Sequence, residues 1–175
     1  MQALIVLDVQ KGLMKRKQFK RQQNNIAVLM KDFKNRQQVI IATQHLLPGS
    51  GSIFDPESED SRLAEGIEKN SDLVVVKSSP NAFSSPELSE YLVKHQVDQV
   101  FVVGFNAEYC CLFTSIAASD RGYKVTYIED ASGTVNDEDT YEMKGLDIVN
   151  FVGSVLDWSD VVEVLYMEEY VNQYQ

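Results

Sequence analysis

Three side chains that could take part in catalysis each stand where an apolar run of the sequence ends. Asp8 and Lys77 directly follow such runs, and Cys110 lies six residues after Gly104, the glycine that closes a third run. Apolar runs of this length are typical of strands buried in a parallel sheet. Because open α/β sheets keep their sites at the carboxyl ends of strands, we expect a carboxylate, an ammonium and a thiol at one sheet edge.

Cys110 has the sequence context of a cysteine at the start of a helix. Phe113, Ile116 and Ala117 follow it at helical spacing. The unpaired N–H groups and the positive dipole end of a first helical turn favour a thiolate, as a nucleophile requires. The alternative is a structural cysteine, because free cysteine usually packs as a small hydrophobe. The adjacent Cys111 would point to another side of the helix, and we expect it in the core.

The acidic and basic candidates also have simpler interpretations. Asp8 could cap a helix or belong to a metal or phosphoryl-transfer site, although Gln10 stands where a second acid would support phosphoryl transfer. Lys77 could be an ordinary surface lysine at a strand end. Asp130 follows a later strand, and its residue type favours a helix cap or a loop-ordering acid over a catalyst.

Apolar runs and helical periodicity alternate along the chain. This alternation predicts a parallel sheet covered by helices on both faces and joined by right-handed crossovers. The segment 46–60 is rich in Gly, Ser and Pro and is expected to be a long loop. The predicted strands are 3–8, 39–43, 73–77, 100–103, 124–128 and 161–165, and the predicted helices are 22–36, 63–67, one from Pro86, one from Cys110 and 138–149.

Length and composition indicate a single domain over residues 1–175. The chain is 44% hydrophobic and has a formal net charge of −10, which argues against nucleic acid or an anionic membrane as a partner. No apolar stretch reaches the roughly 20 residues of a membrane helix, and Asp8 interrupts the first apolar run. With adjacent cysteines and no disulfide framework, we expect a cytoplasmic protein.

The order of five motifs resembles that of the isochorismatase-like cysteine hydrolases. This superfamily includes nicotinamidases, N-carbamoylsarcosine amidase and ureidoacrylate amidohydrolases. Each motif alone is weak, but together they span most of the chain with Asp8, Lys77 and Cys110 at the expected places. The motifs are LIVLDVQKG (4–12), ATQH (42–45), VVKSSPNAF (75–83), VVGFNAEYCCLFTSIAA (102–118) and IEDASG (128–133).

The resemblance implies a three-layer αβα fold around a doubly wound, six-stranded parallel sheet of order 3-2-1-4-5-6. It also implies a catalytic triad of Asp8, Lys77 and Cys110. The family's oxyanion hole would be formed by the N–H groups of Asn106 and Cys110, after a cis peptide bond between Phe105 and Asn106. Such a protein would cleave a C–N amide or ureido bond of a small molecule through a thioester on the cysteine.

The expected substrate pocket consists of Leu13, His45, Phe83 and Phe105. Three positions depart from the family pattern: Leu13 replaces a common aromatic residue, Asn81 a small hydroxyl residue, and Ala107 the usual threonine. These departures alter the expected pocket, and nicotinamide is one candidate substrate among several.

We expect neither a metal nor another cofactor. Metal-dependent nicotinamidases carry an Asp-x-His pair and further histidines after the second strand, whereas this chain has only His45 there. His45 is therefore either a pocket donor or a loop residue. The expected partner is a small-molecule amide, and we expect a homo-oligomer, either a dimer or a tetramer.

Several alternative functions remain open from the sequence. The chain could be a nicotinamidase proper, or a catalytically idle relative that serves as a binding scaffold. An isochorismatase proper lacks the cysteine nucleophile, so Cys110 argues against that ether hydrolysis. A flavodoxin-like or receiver module would also place an acid at Asp8, but would not explain Lys77 and Cys110 together.

Overall fold

Six parallel strands form one sheet in a computed structural model that describes all residues from 1 to 175. Their order is 3-2-1-4-5-6, and every neighbouring pair is parallel. The α/β fold class and strand order predicted from the sequence are therefore confirmed. The strands are β1 (Gln2–Leu7), β2 (Val39–His45), β3 (Leu73–Lys77), β4 (Gln99–Phe105), β5 (Lys124–Gly133) and β6 (Glu163–Leu165).

Helices cover both faces of the sheet. The helices are α1 (Lys11–Met14), α2 (Lys20–Asn35), α3 (Pro86–Lys94), α4 (Leu112–Asp120), α5 (Ile148–Asp157) and α6 (Met167–Tyr174). Alternate strand residues bury into two separate apolar cores, one shared with α3, α4 and α5 and the other with α2 and α6. This arrangement explains why the strand sequences are continuous apolar runs, since both faces of each central strand are covered.

Two predicted helices are wrong. The helix expected at 138–149 begins at Ile148, because Gly145 adopts a positive φ of 81° and the Asp147 side chain accepts the N–H of Asn150 as an N-cap. In place of the helix expected at 63–67, Leu63 forms an isolated antiparallel bridge with Gln10, and residues 65–67 form a turn. The final helix α6 was not predicted, and β6 is shorter than the expected 161–165.

Gly104 allows the two central strands to approach each other. It has a φ of +123°, and a Cβ added to it would lie 2.1 Å from the carbonyl oxygen of Leu7 on β1. No side chain fits there without moving backbone. Since β1 and β4 are the neighbours at which the strand order reverses, this contact sets the distance between the elements that carry Asp8 and Cys110.

Gly104→Ala is therefore expected to destabilise the protein by at least about 4 kcal/mol, because both the backbone conformation and the space oppose a methyl group. Gly122→Ala is the matched control: Gly122 also has a positive φ, of 86°, but a Cβ added there would have no atom within 4 Å. That change is expected to cost about 1–2 kcal/mol. Urea unfolding of both variants measures the difference, and equal losses would contradict this explanation of Gly104.

The helices fall short of the length and hydrophobicity that crossing a bilayer would require.

Candidate active site

Asp8 is held rigidly at the carboxyl end of β1. Its backbone has a φ of 51°, a left-handed conformation that aspartate tolerates better than most residues. Its N–H lies 3.3 Å from the carbonyl and 3.2 Å from the hydroxyl oxygen of Thr43. In return, the Thr43 hydroxyl donates a 2.5 Å hydrogen bond to Asp8 Oδ1. Thr43, which sequence reasoning did not single out, thus fixes both the backbone and the carboxylate of Asp8.

The Lys77 ammonium reaches the centre of the site from β3, across the end of the intervening strand β2. Its Nζ donates to Asp8 Oδ2 at 2.6 Å, to the carbonyl of Ser79 at 3.1 Å and to Cys110 Sγ at 3.3 Å. The side chain is buried. Lys77 is therefore not a surface lysine, and its long stem spans the distance that the strand order imposes.

Cys110 lies in a π-helical turn, Ala107–Cys111, that leads into α4; we call this segment the cysteine turn. The peptide bond between Phe105 and Asn106 that precedes it is cis. The Asn106 carbonyl accepts the N–H groups of Tyr109 and Cys111, whereas the Asn106 N–H has no acceptor in the protein. Only 8% of the Cys110 surface is exposed, which leaves a narrow approach to the sulfur.

The resting thiol of Cys110 keeps its proton. Burial and then the negative charge of Asp8 raise the pKa of the thiol to about 12, and they outweigh the opposing effect of Lys77. The favourable effect expected from the helix start is therefore outweighed, while Lys77 lowers the pKa of the thiol as predicted. Burial alone would lower the pKa of Lys77, but the Asp8 carboxylate beside it more than offsets this and raises that pKa overall. The resting site thus contains an ammonium together with a neutral thiol.

The thiol proton predicts how stability depends on pH. A group with a higher pKa in the folded than in the unfolded chain stabilises the fold below its unfolded pKa, and this contribution is lost as pH rises. For Cys110 the loss begins near pH 9, the ordinary thiol value, and extends towards 12. We expect the stability of wild type relative to Cys110→Ala to fall by up to about 1.4 kcal/mol per pH unit above pH 9, measured by urea unfolding. A constant difference would contradict the assigned burial of the thiol.

His45 ends β2 and lies beside the cluster. Its Nδ1 is 3.2 Å from Lys77 Nζ, so a neutral ring with its proton on Nε2 suits this contact, and Lys77 shares its three protons among four acceptors. Burial and the Lys77 charge lower the pKa of His45, which favours this neutral form. The ring also packs edge-to-face against Phe54 of the loop that follows β2.

Gln10 fixes the backbone of His45 and was also missed as a positioning residue. Its buried amide donates to the carbonyl of His45 at 3.0 Å and accepts the N–H of His45 at 2.9 Å. A second hydrogen bond, of 2.6 Å, joins its Nε2 to the carbonyl of Ser61. The signal in the sequence was a glutamine directly after a buried strand, because a buried side-chain amide needs hydrogen-bond partners.

Three of the four predicted pocket residues do not present a free surface to the cluster. Leu13 is buried in the core on the α2 side of the sheet, and Phe105 is fully buried there with its ring edge against Phe19. Phe83 is buried on the other side, stacked on Tyr123 and covered by the guanidinium of Arg121. Their apolar side chains pack in the cores, and their place in a substrate pocket stays a prediction. Among the four, His45 is the one within hydrogen-bond distance of the cluster.

Cys111 has the core position that the sequence analysis expected. It is fully buried in the apolar core between the sheet and α4, and burial raises the pKa of its thiol well above the ordinary value. Asp130 likewise stands apart from the cluster: it accepts the N–H of Met167 at the start of α6 and pairs with Arg21. It orders a helix end and a neighbouring side chain.

The side chains near Cys110 do not suit a bound metal ion. Donor atoms of Asp8, His45 and Cys110 lie within 4.8 Å of one another, and such O, N and S atoms are zinc ligands. However, the Lys77 ammonium already makes close contacts with all three residues. The positive charge of this ammonium, in the middle of the donor atoms, repels a metal ion. The residues present therefore do not fit a resident metal.

The fold and the cluster define a class of protein: a doubly wound α/β protein with a carboxylate, an ammonium and a thiol assembled at its switch point. Residues 2–160 match the isochorismatase domain family. The chain therefore belongs to the isochorismatase family, and the resemblance identified from the sequence motifs is confirmed.

Individual relatives share this family and fold at low sequence identity. An uncharacterised isochorismatase family protein of Bacillus subtilis is 24% identical over 147 residues, which cover 79% of each chain. The nicotinamidase of Saccharomyces cerevisiae is 38% identical over 56 residues, 32% of this chain and 26% of that enzyme. The crystal structure of a candidate isochorismatase from Burkholderia xenovorans superposes with a TM-score of 0.87 at 25% identity, covering 98% of this chain and 86% of that one.

Proposed function

We propose that this protein is a cysteine hydrolase that cleaves a C–N amide or ureido bond of a small molecule through a thioester intermediate. The observation that carries the proposal is the Lys77 ammonium, which contacts both the Asp8 carboxylate and the Cys110 sulfur in a buried site. A structural cysteine needs no such partners. A nucleophile beside a base, with a cation oriented between them, has the geometry of covalent catalysis.

In the first step Asp8 removes the thiol proton of Cys110 as the sulfur attacks the substrate carbonyl carbon. The high pKa of the resting thiol makes this base necessary, because little thiolate exists beforehand. Lys77 stabilises the sulfur as it loses its proton, since its charge lowers the pKa of the thiol. The resemblance to the family assigns the oxyanion hole to the N–H groups of Asn106 and Cys110. The N–H of Asn106 has no acceptor in the protein, which supports this role.

In the second step the tetrahedral intermediate collapses. The C–N bond breaks, the proton on Asp8 moves to the departing nitrogen, and ammonia or an amine leaves. Water then attacks the thioester while Asp8 accepts one of its protons, and the C–S bond breaks. The proton returns to the sulfur, so that the carboxylic acid product leaves and the thiol is restored.

The narrow exposure of Cys110 favours small substrates, because the carbonyl carbon must reach the sulfur of a residue that is only 8% exposed. Nicotinamide is one candidate, supported by the short match to the yeast nicotinamidase. The half-buried His45, with its proton on Nε2, supplies a neutral hydrogen-bond donor beside the cluster.

Ammonia release from a panel of primary amides and ureido acids tests the proposal, with nicotinamide, pyrazinamide and N-carbamoyl amino acids as the probes. We expect at least one probe to release ammonia with wild type and none with Cys110→Ala. Release that is equal in both proteins would contradict the proposed nucleophile. Absence of turnover with every probe would support the catalytically idle scaffold instead.

Activity is also expected to survive exhaustive chelation. Lys77 occupies the centre of the available donor set, so EDTA should leave the ammonia-release rate unchanged within error. The control is a parallel sample dialysed without chelator. Loss of the rate with EDTA, followed by recovery with zinc or iron, would show that a metal takes part.

A further inference from the structure

Glu108 is the one charged residue of the cysteine turn, and its carboxylate contacts the chain that follows β5. Its Oε1 accepts three hydrogen bonds: from the Thr134 hydroxyl at 2.8 Å, the Asn136 amide at 2.7 Å and the Tyr141 hydroxyl at 3.1 Å. Hydrogen bonds to a carboxylate are roughly twice as strong as those between neutral groups. Glu108 therefore ties the cysteine turn to residues 134–141, which we call the anchor segment.

The residues on either side of Glu108 also bind the anchor segment. The N–H of Val135 donates to the side-chain oxygen of Asn106 at 3.1 Å, and the hydroxyl oxygens of Tyr141 and Tyr109 lie 2.9 Å apart. The anchor segment belongs to the stretch between β5 and α5, which has no helix or strand of its own. Side-chain hydrogen bonds therefore fix how these two irregular pieces of chain lie against each other.

The two halves of the cysteine turn are held in different ways. In this π-helical turn the Asn106 carbonyl accepts the N–H groups of both Tyr109 and Cys111, at 3.1 and 3.3 Å. Cys111 is fully buried and leads into α4, so apolar packing holds the end of the turn that carries the sulfur. Glu108 is only partly buried and Tyr109 is exposed, so hydrogen bonds to the anchor segment hold these two residues in place.

We propose that Glu108 is a positioning residue for the hydrolysis, because it holds the cysteine turn so that the N–H groups of Asn106 and Cys110 are directed at the substrate oxygen. This inference rests on the proposed function, in which the turn carries both the nucleophile and the oxyanion donors. That oxygen becomes negative only as the reaction proceeds, so misaligned donors lower kcat more than they weaken substrate binding.

The second carboxylate oxygen indicates that the anchor uses the hydrogen bonds of Glu108 and not its charge. Oε2 is buried and has no hydrogen-bond partner. A glutamine can keep its oxygen at the position of Oε1, where all three donors point, and its NH₂ group then displaces no donor. We expect Glu108→Ala to lower kcat by about 100-fold with KM changed less than about threefold, and Glu108→Gln to lower kcat by at most about threefold.

Glu163→Ala is the matched control. Glu163, at the start of β6, is also partly buried and accepts hydrogen bonds from the same kinds of group: the hydroxyls of Thr126 and Tyr174, at 2.7 and 2.8 Å, and the amide of Gln173, at 2.8 Å. It lies at the amino end of the sheet, away from the site. We expect it to lower the midpoint of urea unfolding about as much as Glu108→Ala and to leave kcat as in wild type.

Two further measurements separate positioning from general damage. Hydrogen–deuterium exchange, read by mass spectrometry, is expected to be faster in Glu108→Ala only in the peptides that cover the cysteine turn and the anchor segment. The rate at which iodoacetamide alkylates Cys110 is expected to stay within about threefold of wild type, because Asp8 and Lys77, which contact each other and the sulfur, are held by β1 and β3.

Several results would overturn the proposal. Unchanged exchange in Glu108→Ala would contradict the anchor, and faster exchange with unchanged kcat would contradict its role in positioning. A loss of kcat in Glu108→Gln as large as in Glu108→Ala would show that the charge acts and not the hydrogen bonds. Exchange needs no substrate, so a wild type that hydrolyses no amide would contradict the proposed function while exchange still decides whether Glu108 anchors the turn.

Discussion

Cys110→Ala is expected to lower kcat/KM for any amide that the wild type hydrolyses by at least about a thousandfold, because it removes the proposed nucleophile. The change is small and leaves the fold intact, since the side chain lies at the edge of the core with part of its surface exposed. Ammonia release under substrate-limited conditions measures the loss. An unfolding curve recorded on the same sample separates lost chemistry from lost structure.

Cys111→Ala is the matched control for this prediction. It removes the same thiol group one residue further along, from a fully buried position among apolar residues. We expect it to retain most of the activity while losing some stability, because it leaves a small cavity in the core. If Cys111→Ala abolishes turnover and Cys110→Ala does not, the two cysteines have been assigned the wrong way round.

Lys77→Met is expected to have the second large effect, on both stability and chemistry. Methionine keeps much of the apolar stem but leaves the buried Asp8 carboxylate without its cation. Removing one partner of a buried ion pair typically costs about 3–5 kcal/mol. The double variant with Asp8→Asn is expected to recover part of that loss, because it no longer buries an unpaired charge. A double variant less stable than Lys77→Met would contradict the pairing.

The chemical effect of Lys77→Met follows from its charge. Lys77 lowers the pKa of the Cys110 thiol and Asp8 raises it, so Lys77→Met raises that pKa further whereas Asp8→Asn lowers it. The rate of alkylation by iodoacetamide at a pH of about 8 reports the thiolate fraction. We expect at least about a tenfold decrease for Lys77→Met and an increase for Asp8→Asn. If Lys77→Met leaves the rate unchanged, the ammonium does not act on the sulfur in solution.

The sequence was sufficient for the sheet and for the meeting of its three chemical groups. Each central strand is a continuous apolar run, and the resemblance to the isochorismatase-like hydrolases implied which strands are neighbours. The predicted reach of Lys77 across β2 also agrees with the structure, because the lysine stem is long enough to span one intervening strand.

The residues that line the pocket and the pKa of the Cys110 thiol could not be predicted from the sequence in this way. Whether the side chains of Leu13 and Phe105 face a substrate or a core depends on the face of the sheet on which they pack. Both pack in the core on the α2 side. The pKa of Cys110 depends on the balance of burial, Asp8 and Lys77, which only distances decide. Thr43 and Gln10 were missed because their role lies in hydrogen bonds between distant segments.

Trapping the thioester is the most direct test of the central claim. An amide that releases ammonia in the panel is mixed with wild-type protein, the reaction is stopped with acid during turnover, and the protein is digested for mass spectrometry. We predict that the peptide containing Cys110 and Cys111 gains the mass of the acyl group, that Cys111→Ala gives the same adduct, and that Cys110→Ala gives none. Turnover without an adduct in any of the three proteins, or an adduct that persists in Cys110→Ala, would contradict a mechanism through a Cys110 thioester.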